Sequence, residues 1–186
     1  MSERFDQVKE FYHSDNPLAG ILRDILSVAR IIVVFAILSQ IVFGTWTPMR
    51  AIESGSMVPH MNIGDIVFIQ SMSRARIVTY QEGESEGYRS FGNFGSVILY
   101  KPYGRNDRTP IIHRAMYYVN AGEPMWNGGP VAPHAGYITK GDHNNVIDQY
   151  GICTEPVREE WVIGVARFRI PYAGYVRLIF SKIFSI

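Results

Sequence analysis

The run Ile31 to Trp46 (IIVVFAILSQIVFGTW) carries no charged residue. A membrane-crossing helix needs roughly 20 apolar residues. Extending the run back to Ile25 reaches that length and admits only Arg30, whose long side chain can snorkel to the interface. The pattern therefore predicts one membrane anchor over residues 25–47. Within Ile31 to Trp46 the only polar positions are Ser39, Gln40 and Thr45, too few for the polar stripe of a helix lying on a soluble core. A cleaved leader fits poorly as well, because roughly thirty residues precede the run. Trp46 and Pro48 also stand where a cleavage site needs small residues. Arg4, Lys9, Arg23 and Arg30 come before the uncharged run and only Arg50 closely after it. The bias of basic residues toward the inner face predicts a cytoplasmic segment over 1–24, with the following domain on the outer face of the cell membrane.

Beyond Pro48 the period of the pattern shortens. GDIVFI from Gly64, GSVILY from Gly95, PIIHRAMYYV from Pro110, GYITKG from Gly136 and WVIGVARFRI from Trp161 are rich in β-branched and aromatic residues. Glycine, proline or polar clusters bound each of them, which predicts an antiparallel β domain over residues 48–171. Two long polar connections interrupt it, one from about Ser71 to Phe94 and the other NAGEPMWNGGPVAPHAG. The second holds too much glycine and proline for helix or strand to persist. In the tail, residues 172–186, Val176, Ile179, Phe180, Ile183 and Phe184 recur at helical spacing beside Arg177, Ser181 and Lys182. That spacing predicts an amphipathic helix, lying on the membrane surface or packed on the β domain.

Composition narrows the function classes. Hydrophobic residues make up 47% and charged residues 19%, and the formal net charge is +1. These values predict a packed core rather than disorder. Without a basic run, nucleic acid is not an expected partner. Cys153 is the single cysteine, so no internal disulfide forms, and it lacks the neighbours of a zinc site. Its bland reading is a small apolar core residue, its sharp one a catalytic thiol. No metal and no cofactor are expected.

Three polar blocks carry candidate chemistry. ESGSMVPHMNIGDIVFI, from Glu53, puts serines beside glycine and proline just after the anchor. A serine nucleophile needs an exposed hydroxyl on stiff backbone with room for substrate, although such serines are more often plain loop residues. Asp65 reads as a turn residue leading into a strand. IIHRAMYY puts His113 with Ile111, Ala115 and Tyr117 on one strand face, opposite Arg114. Histidine titrates near pH 6.5 unperturbed and can accept a serine proton at neutral pH. On an apolar face it is also commonly a core residue. GYITKGDHNNVID supplies Asp142 and Asp148, either able to hold a histidine tautomer or merely to shape a turn. His60, Lys101 and Lys140 compete as bases. His13, His134 and His143 have no metal-ligand spacing.

These blocks, in this order, resemble those of type I signal peptidases. Serine-methionine-any-proline after an anchor is that family's nucleophile motif, and His113-Arg114 stands where the bacterial members have lysine-arginine. The chain is thus similar to the archaeal and endoplasmic-reticulum branch. The resemblance extends through GSVILYKP, where Ser96 replaces a usual aspartate, to VIGVARFRIPYAGYV. His143 also departs from the pattern, standing where asparagine is usual.

The resemblance implies a mainly β fold of antiparallel coiled sheets with an N-terminal transmembrane helix. It implies Ser56 as nucleophile, His113 as general base and Asp148 as the triad carboxylate, with Asp142 in support. Ser54 would assist the oxyanion hole, and Met57, the motif residue next to Ser56, would contribute to the oxyanion or binding site. The implied activity is a membrane-bound serine endopeptidase removing signal peptides from secreted preproteins. Its implied partners are those signal peptides, membrane lipid and the protein-export machinery. The alternative is a non-catalytic, membrane-tethered β domain that binds exported chains. Self-cleavage, as in repressor-type relatives, is a third reading, disfavoured by the anchor and by the lack of a DNA-binding segment.

Overall fold

The computed structural model describes residues 16–175. The tail helix expected from Val176 onward lies outside the described residues, as do Arg4, Lys9 and His13. Contacts divide the chain into an N-terminal unit ending at Val42 and a larger one beginning at Phe43.

In the first unit, helix α1 spans Pro17–Phe43. It starts ahead of Ile25, because Asn16 caps it by accepting the Leu18 N–H at 3.0 Å. Pro17 then sits at the first helical position, where a missing N–H costs nothing. Gly44, at φ +68°, ends it, in the left-handed conformation that glycine adopts without a Cβ clash. Its 27 residues rise about 40 Å at 1.5 Å each. Exposed apolar side chains such as Leu22, Val33, Phe35 and Leu38 run along it. The helix is long and apolar enough to cross a membrane.

The second unit is mainly antiparallel sheet. Its strands are β1 (Met49–Ala51), β2 (Ile66–Ser71), β3 (Arg89–Ser90), β4 (Asn93–Phe94), β5 (Val97–Tyr100), β6 (Ile111–Val119), β7 (Gly136–Lys140) and β8 (Val162–Ile170). Six of them form one sheet in the order β1-β2-β8-β5-β6-β7, while β3 and β4 make a small hairpin. The alternating apolar residues of β5 explain how the sheet is covered on both faces. Val97 and Leu99 enter one core cluster with Ile52, Met57, Met61 and Val67. Ile98 and Tyr100 enter another with Ala115, Cys153, Val157 and Val165. Period-two side chains can serve two cores only if both faces are buried.

The five strands expected from the pattern are present as β2, β5, β6, β7 and β8. The connection after Ser71 holds more structure than its polarity suggested, namely helix α2 (Tyr80–Glu86) and the β3–β4 hairpin. A capping box starts α2. The Glu82 N–H bonds Thr79 Oγ1, and the Glu82 carboxylate accepts the Thr79 N–H. This reciprocal pair is a local helix signal that composition hides. The Gly/Pro-rich connection has turns and one isolated bridge, Pro124 to Val131. Asp65 has the structural part expected of it. Fully buried, its carboxylate accepts from the Asn62 N–H, the Arg169 guanidinium and the Tyr172 N–H. Burial pushes its pKa up, but these donors outweigh it and hold the group below its ordinary value.

Candidate active site

The loop after β1 is built to hold a serine still. The N–H of Val58 bonds the Gly55 carbonyl at 3.1 Å, and those of His60 and Met61 both reach the Met57 carbonyl at 2.9 Å. Met57 and Met61 are fully buried and pin this turn to the core, while Ser54 and the half-buried Ser56 remain accessible. The turn Gly141–Asn144 closes over the loop from the other side. The His143 N–H donates to the Ser56 carbonyl at 2.9 Å. A Cβ on Gly141 would stand 2.6 Å from that same oxygen, so only glycine permits the approach.

Across from the loop, strand β6 presents His113, with 3% of its surface exposed. Ser56 Oγ lies 2.9 Å from His113 Nε2. On the far side of the ring, His113 Nδ1 lies 2.7 Å from Asp148 Oδ2. A carboxylate only accepts, so Nδ1 carries the proton and Nε2 is left free to accept one. The three residues, separated by 57 and 35 positions along the chain, thus form an unbroken chain of hydrogen bonds.

Asp148 opens a short 3-10 turn, Asp148–Tyr150. Its carbonyl takes the N–H groups of Gly151, Ile152 and Cys153, which fixes the backbone beneath the carboxylate. Oδ2 also accepts from Tyr100 Oη at 2.9 Å and from Thr139 Oγ1 at 2.6 Å. Burial, followed by the neighbouring Asp148 charge, pushes the Tyr100 pKa far up. Its hydroxyl therefore stays protonated and donates. Oδ1 is buried and has no partner among the described residues. All the fixed donors thus turn one oxygen toward the imidazole. Tyr100 and Thr139 escaped the sequence reading because both look like ordinary strand residues, and only the folding of the Asp148 turn against β5 and β7 brings their hydroxyls to the carboxylate.

Asp142 occupies a different environment. Arg114, the neighbour of His113 on β6, clamps it through Nε to Oδ1 at 2.8 Å and through a terminal nitrogen to Oδ2 at 2.6 Å. His60 Nδ1 reaches Oδ2 at 2.7 Å. Asp142 therefore contacts His60 and Arg114, not His113. The other candidate bases lie elsewhere. Lys101 is bonded to Asn106. Lys140 is the register partner of Arg114 on β7.

Two candidates differ from a plain reading of the motif. Met57 does not offer its side chain to a substrate. It is fully buried, and its sulfur lies 3.4 Å from the Asp142 N–H. Cys153 is buried in the core, and burial pushes its thiol pKa up, the opposite of an activated thiolate. Ser54 Oγ lies 3.3 Å from Ser56 Oγ. The Ser56 N–H has no acceptor among the described residues.

A groove of about 660 Å³ runs past Ser56 and His113, with Ile52, Leu99, Ile111 and Ile152 among its walls. One side is the segment from Arg50 to Ser54, at the β1 edge of the sheet. No group of three or more candidate metal ligands exists among the described residues.

No protein-family model matches the chain. Among curated proteins it is similar to catalytic subunits of the signal peptidase complex. The protein from Sclerotinia sclerotiorum is 27% identical over 139 residues, covering 73% of this chain and 65% of the relative. That from Colletotrichum graminicola is 28% identical over 138 residues, with the same coverage. The human protein is 27% identical over 141 residues, which cover 74% of this chain and 59% of the relative. The chain thus spans less than two thirds of the length of these curated relatives. The serine–histidine–aspartate arrangement in the groove therefore stands in a chain that is similar to signal peptidase catalytic subunits.

Proposed function

We propose that the chain is a membrane-attached serine endopeptidase that removes signal peptides from exported preproteins, with Ser56 as nucleophile, His113 as general base and Asp148 as the orienting carboxylate. One observation carries the reading: Ser56 Oγ, both His113 nitrogens and Asp148 Oδ2 are joined within 2.9 Å at the wall of an apolar groove. The similarity to signal peptidase catalytic subunits supports the choice of substrate.

In this reading His113 Nε2 takes the Ser56 proton as Oγ bonds to the scissile carbonyl carbon. The carbonyl π electrons move to its oxygen. The Ser56 N–H and the Ser54 hydroxyl donate to the resulting oxyanion, each such donor contributing roughly 3 kcal/mol in comparable sites. Asp148 stabilises the imidazolium. Collapse of the tetrahedral species breaks the C–N bond, and Nε2 returns its proton to the leaving amine, which is the new N-terminus of the mature protein. Water then attacks the acyl-enzyme, His113 again taking a proton, and the signal peptide leaves as a carboxylate while Ser56 is restored.

Among the described residues strand β1 pairs only with β2, so its other edge can receive an extended substrate by strand addition, with alternate side chains entering the groove. Helix α1 would anchor the domain in the membrane from which tethered preproteins emerge, raising the local concentration of substrate. The orientation that follows from the basic residues puts the β domain on the outer face. Protein-export machinery and membrane lipid are its partners in this reading.

Digestion of a preprotein by the purified chain tests the proposal, with N-terminal sequencing of the product. The expected result is the mature N-terminus from wild type and none from Ser56→Ala. Binding without cleavage by the wild type would instead leave a tethered β domain that captures exported chains.

A further inference from the structure

Histidine 60 stands four residues beyond Ser56 on the same tight turn, yet it makes no hydrogen bond to Ser56. Its Nδ1 is 2.7 Å from Asp142 Oδ2, and its side chain keeps 26% of its surface exposed. Asp142 is nearly buried, at 4%, and Arg114 more so, at 1%. The arginine is itself fixed, with one terminal nitrogen donating to the carbonyls of Gly95, Phe94 and Ser90 at 2.8, 3.0 and 3.2 Å. The imidazole of His60 also packs against Gly92 in the β3–β4 hairpin, where a Cβ would come 3.1 Å from its Cδ2.

The connectivity of these contacts is informative. Arg114 directly follows His113 on β6, and His60 is one turn beyond Ser56. The His60–Asp142–Arg114 bridge therefore joins the nucleophile loop to the base-bearing strand, alongside the Ser56–His113 hydrogen bond. Asp142 belongs to the turn whose His143 N–H holds the Ser56 carbonyl. A loop attached only through buried methionines could shift along the core surface. A directional, charge-assisted bond to a carboxylate already clamped by a guanidinium removes that freedom.

We propose that His60 is a positioning residue, setting the Ser56–His113 distance through Asp142 and Arg114 without touching the substrate. This rests on the protease reading for its catalytic consequence, though not for its effect on the loop. A misplacement of about 1 Å at a reacting pair can cost on the order of 100-fold in rate. Losing one of several constraints on the loop should cost less.

The test uses the full chain in detergent with two substitutions. His60→Leu removes the donor and keeps the bulk, whereas His60→Asn keeps an N–H close to the position of Nδ1. For preprotein cleavage, His60→Leu is expected to lower kcat about tenfold with KM within about twofold of wild type, and His60→Asn to recover most of that loss. Hydrogen exchange over residues 55–61 should quicken in His60→Leu and stay near wild type in His60→Asn. Wild-type kcat in His60→Leu, or unchanged exchange there, overturns the assignment. So does an Asn variant as impaired as the Leu variant. If His60→Leu does not fold, the Asn variant decides alone, near-wild-type kcat and exchange supporting the proposal and a tenfold loss defeating it. A wild-type chain that cuts no preprotein defeats the protease reading instead, and exchange then decides whether the bridge holds the loop.

Discussion

Asp148 and Asp142 lie six residues apart and are nearly equally buried, yet their surroundings are opposite. Asp142 meets a guanidinium in a two-pronged clamp as well as His60. Among the described residues the Asp148 carboxylate meets only an imidazole and two neutral hydroxyls, those of Tyr100 and Thr139. A carboxylate neutralised by a permanent cation has little field left for a transient one. A carboxylate held by neutral donors keeps its charge available for the imidazolium that forms during attack. The comparison teaches that the kind of donor, rather than burial, separates a carboxylate fit for catalysis from one fit for architecture.

Substitution can break that comparison. Ser56→Ala removes the atom both networks serve and should reduce kcat by roughly 10⁶, with the thermal midpoint near wild type; substantial residual turnover would dismiss Ser56 as nucleophile. Asp148→Asn should cost about 10⁴ in kcat, through loss of the tautomer and of imidazolium stabilisation, as steady-state cleavage would register. Asp142→Asn should act chiefly on stability, by about 3–5 kcal/mol, because it leaves the Arg114 charge buried without its partner. Denaturant unfolding measures this, and a larger rate loss than that of Asp148→Asn would reverse the two roles.

Tyr100→Phe sharpens the contrast more gently. Ring packing survives and one donor to Asp148 is lost, so kcat should fall about 3- to 10-fold. A variant indistinguishable from wild type would show that Thr139 and His113 suffice to orient the carboxylate. The smallest expected effect concerns Asp65. Its folded pKa lies below its ordinary value of 3.8, so the stabilisation is fully present above that pH and is lost as acid carries the protein down through the folded value. Unfolding midpoints measured from pH 6 to pH 3 should decline for wild type at the acid end. They should decline less for Asp65→Asn, which starts lower.

Much of the sheet was legible because strand signals are local. β-branched and aromatic runs bounded by glycine or proline mark β2, β5, β6, β7 and β8, each within a few residues. Strand β1 was missed because three residues of mixed character, Met49, Arg50 and Ala51, pair with β2 only through its register. Helix α2 was missed because a capping box was outweighed by the charges and glycines around it. Of the candidate site, Ser56, His113 and Asp148 could each be named from a block of sequence. Tyr100 and His60 could not be given a partner, since they stand 48 and 82 positions from the carboxylates they touch, and Thr139, though nine positions from Asp148, carries no local sign that the chain turns back on it.

By itself the sequence determined an apolar helix, a set of alternating strands and three separate polar blocks, since short-range periodicity and backbone preference are written residue by residue. Only the tertiary structure decided which aspartate faces His113 and which faces Arg114. That choice depends on the pairing of β6 with β5 and β7 and on how the 141–148 segment folds back over the nucleophile loop. Hydrogen bonds span about 3 Å, while the residues they join are separated by dozens of positions, and no local pattern carries that distance.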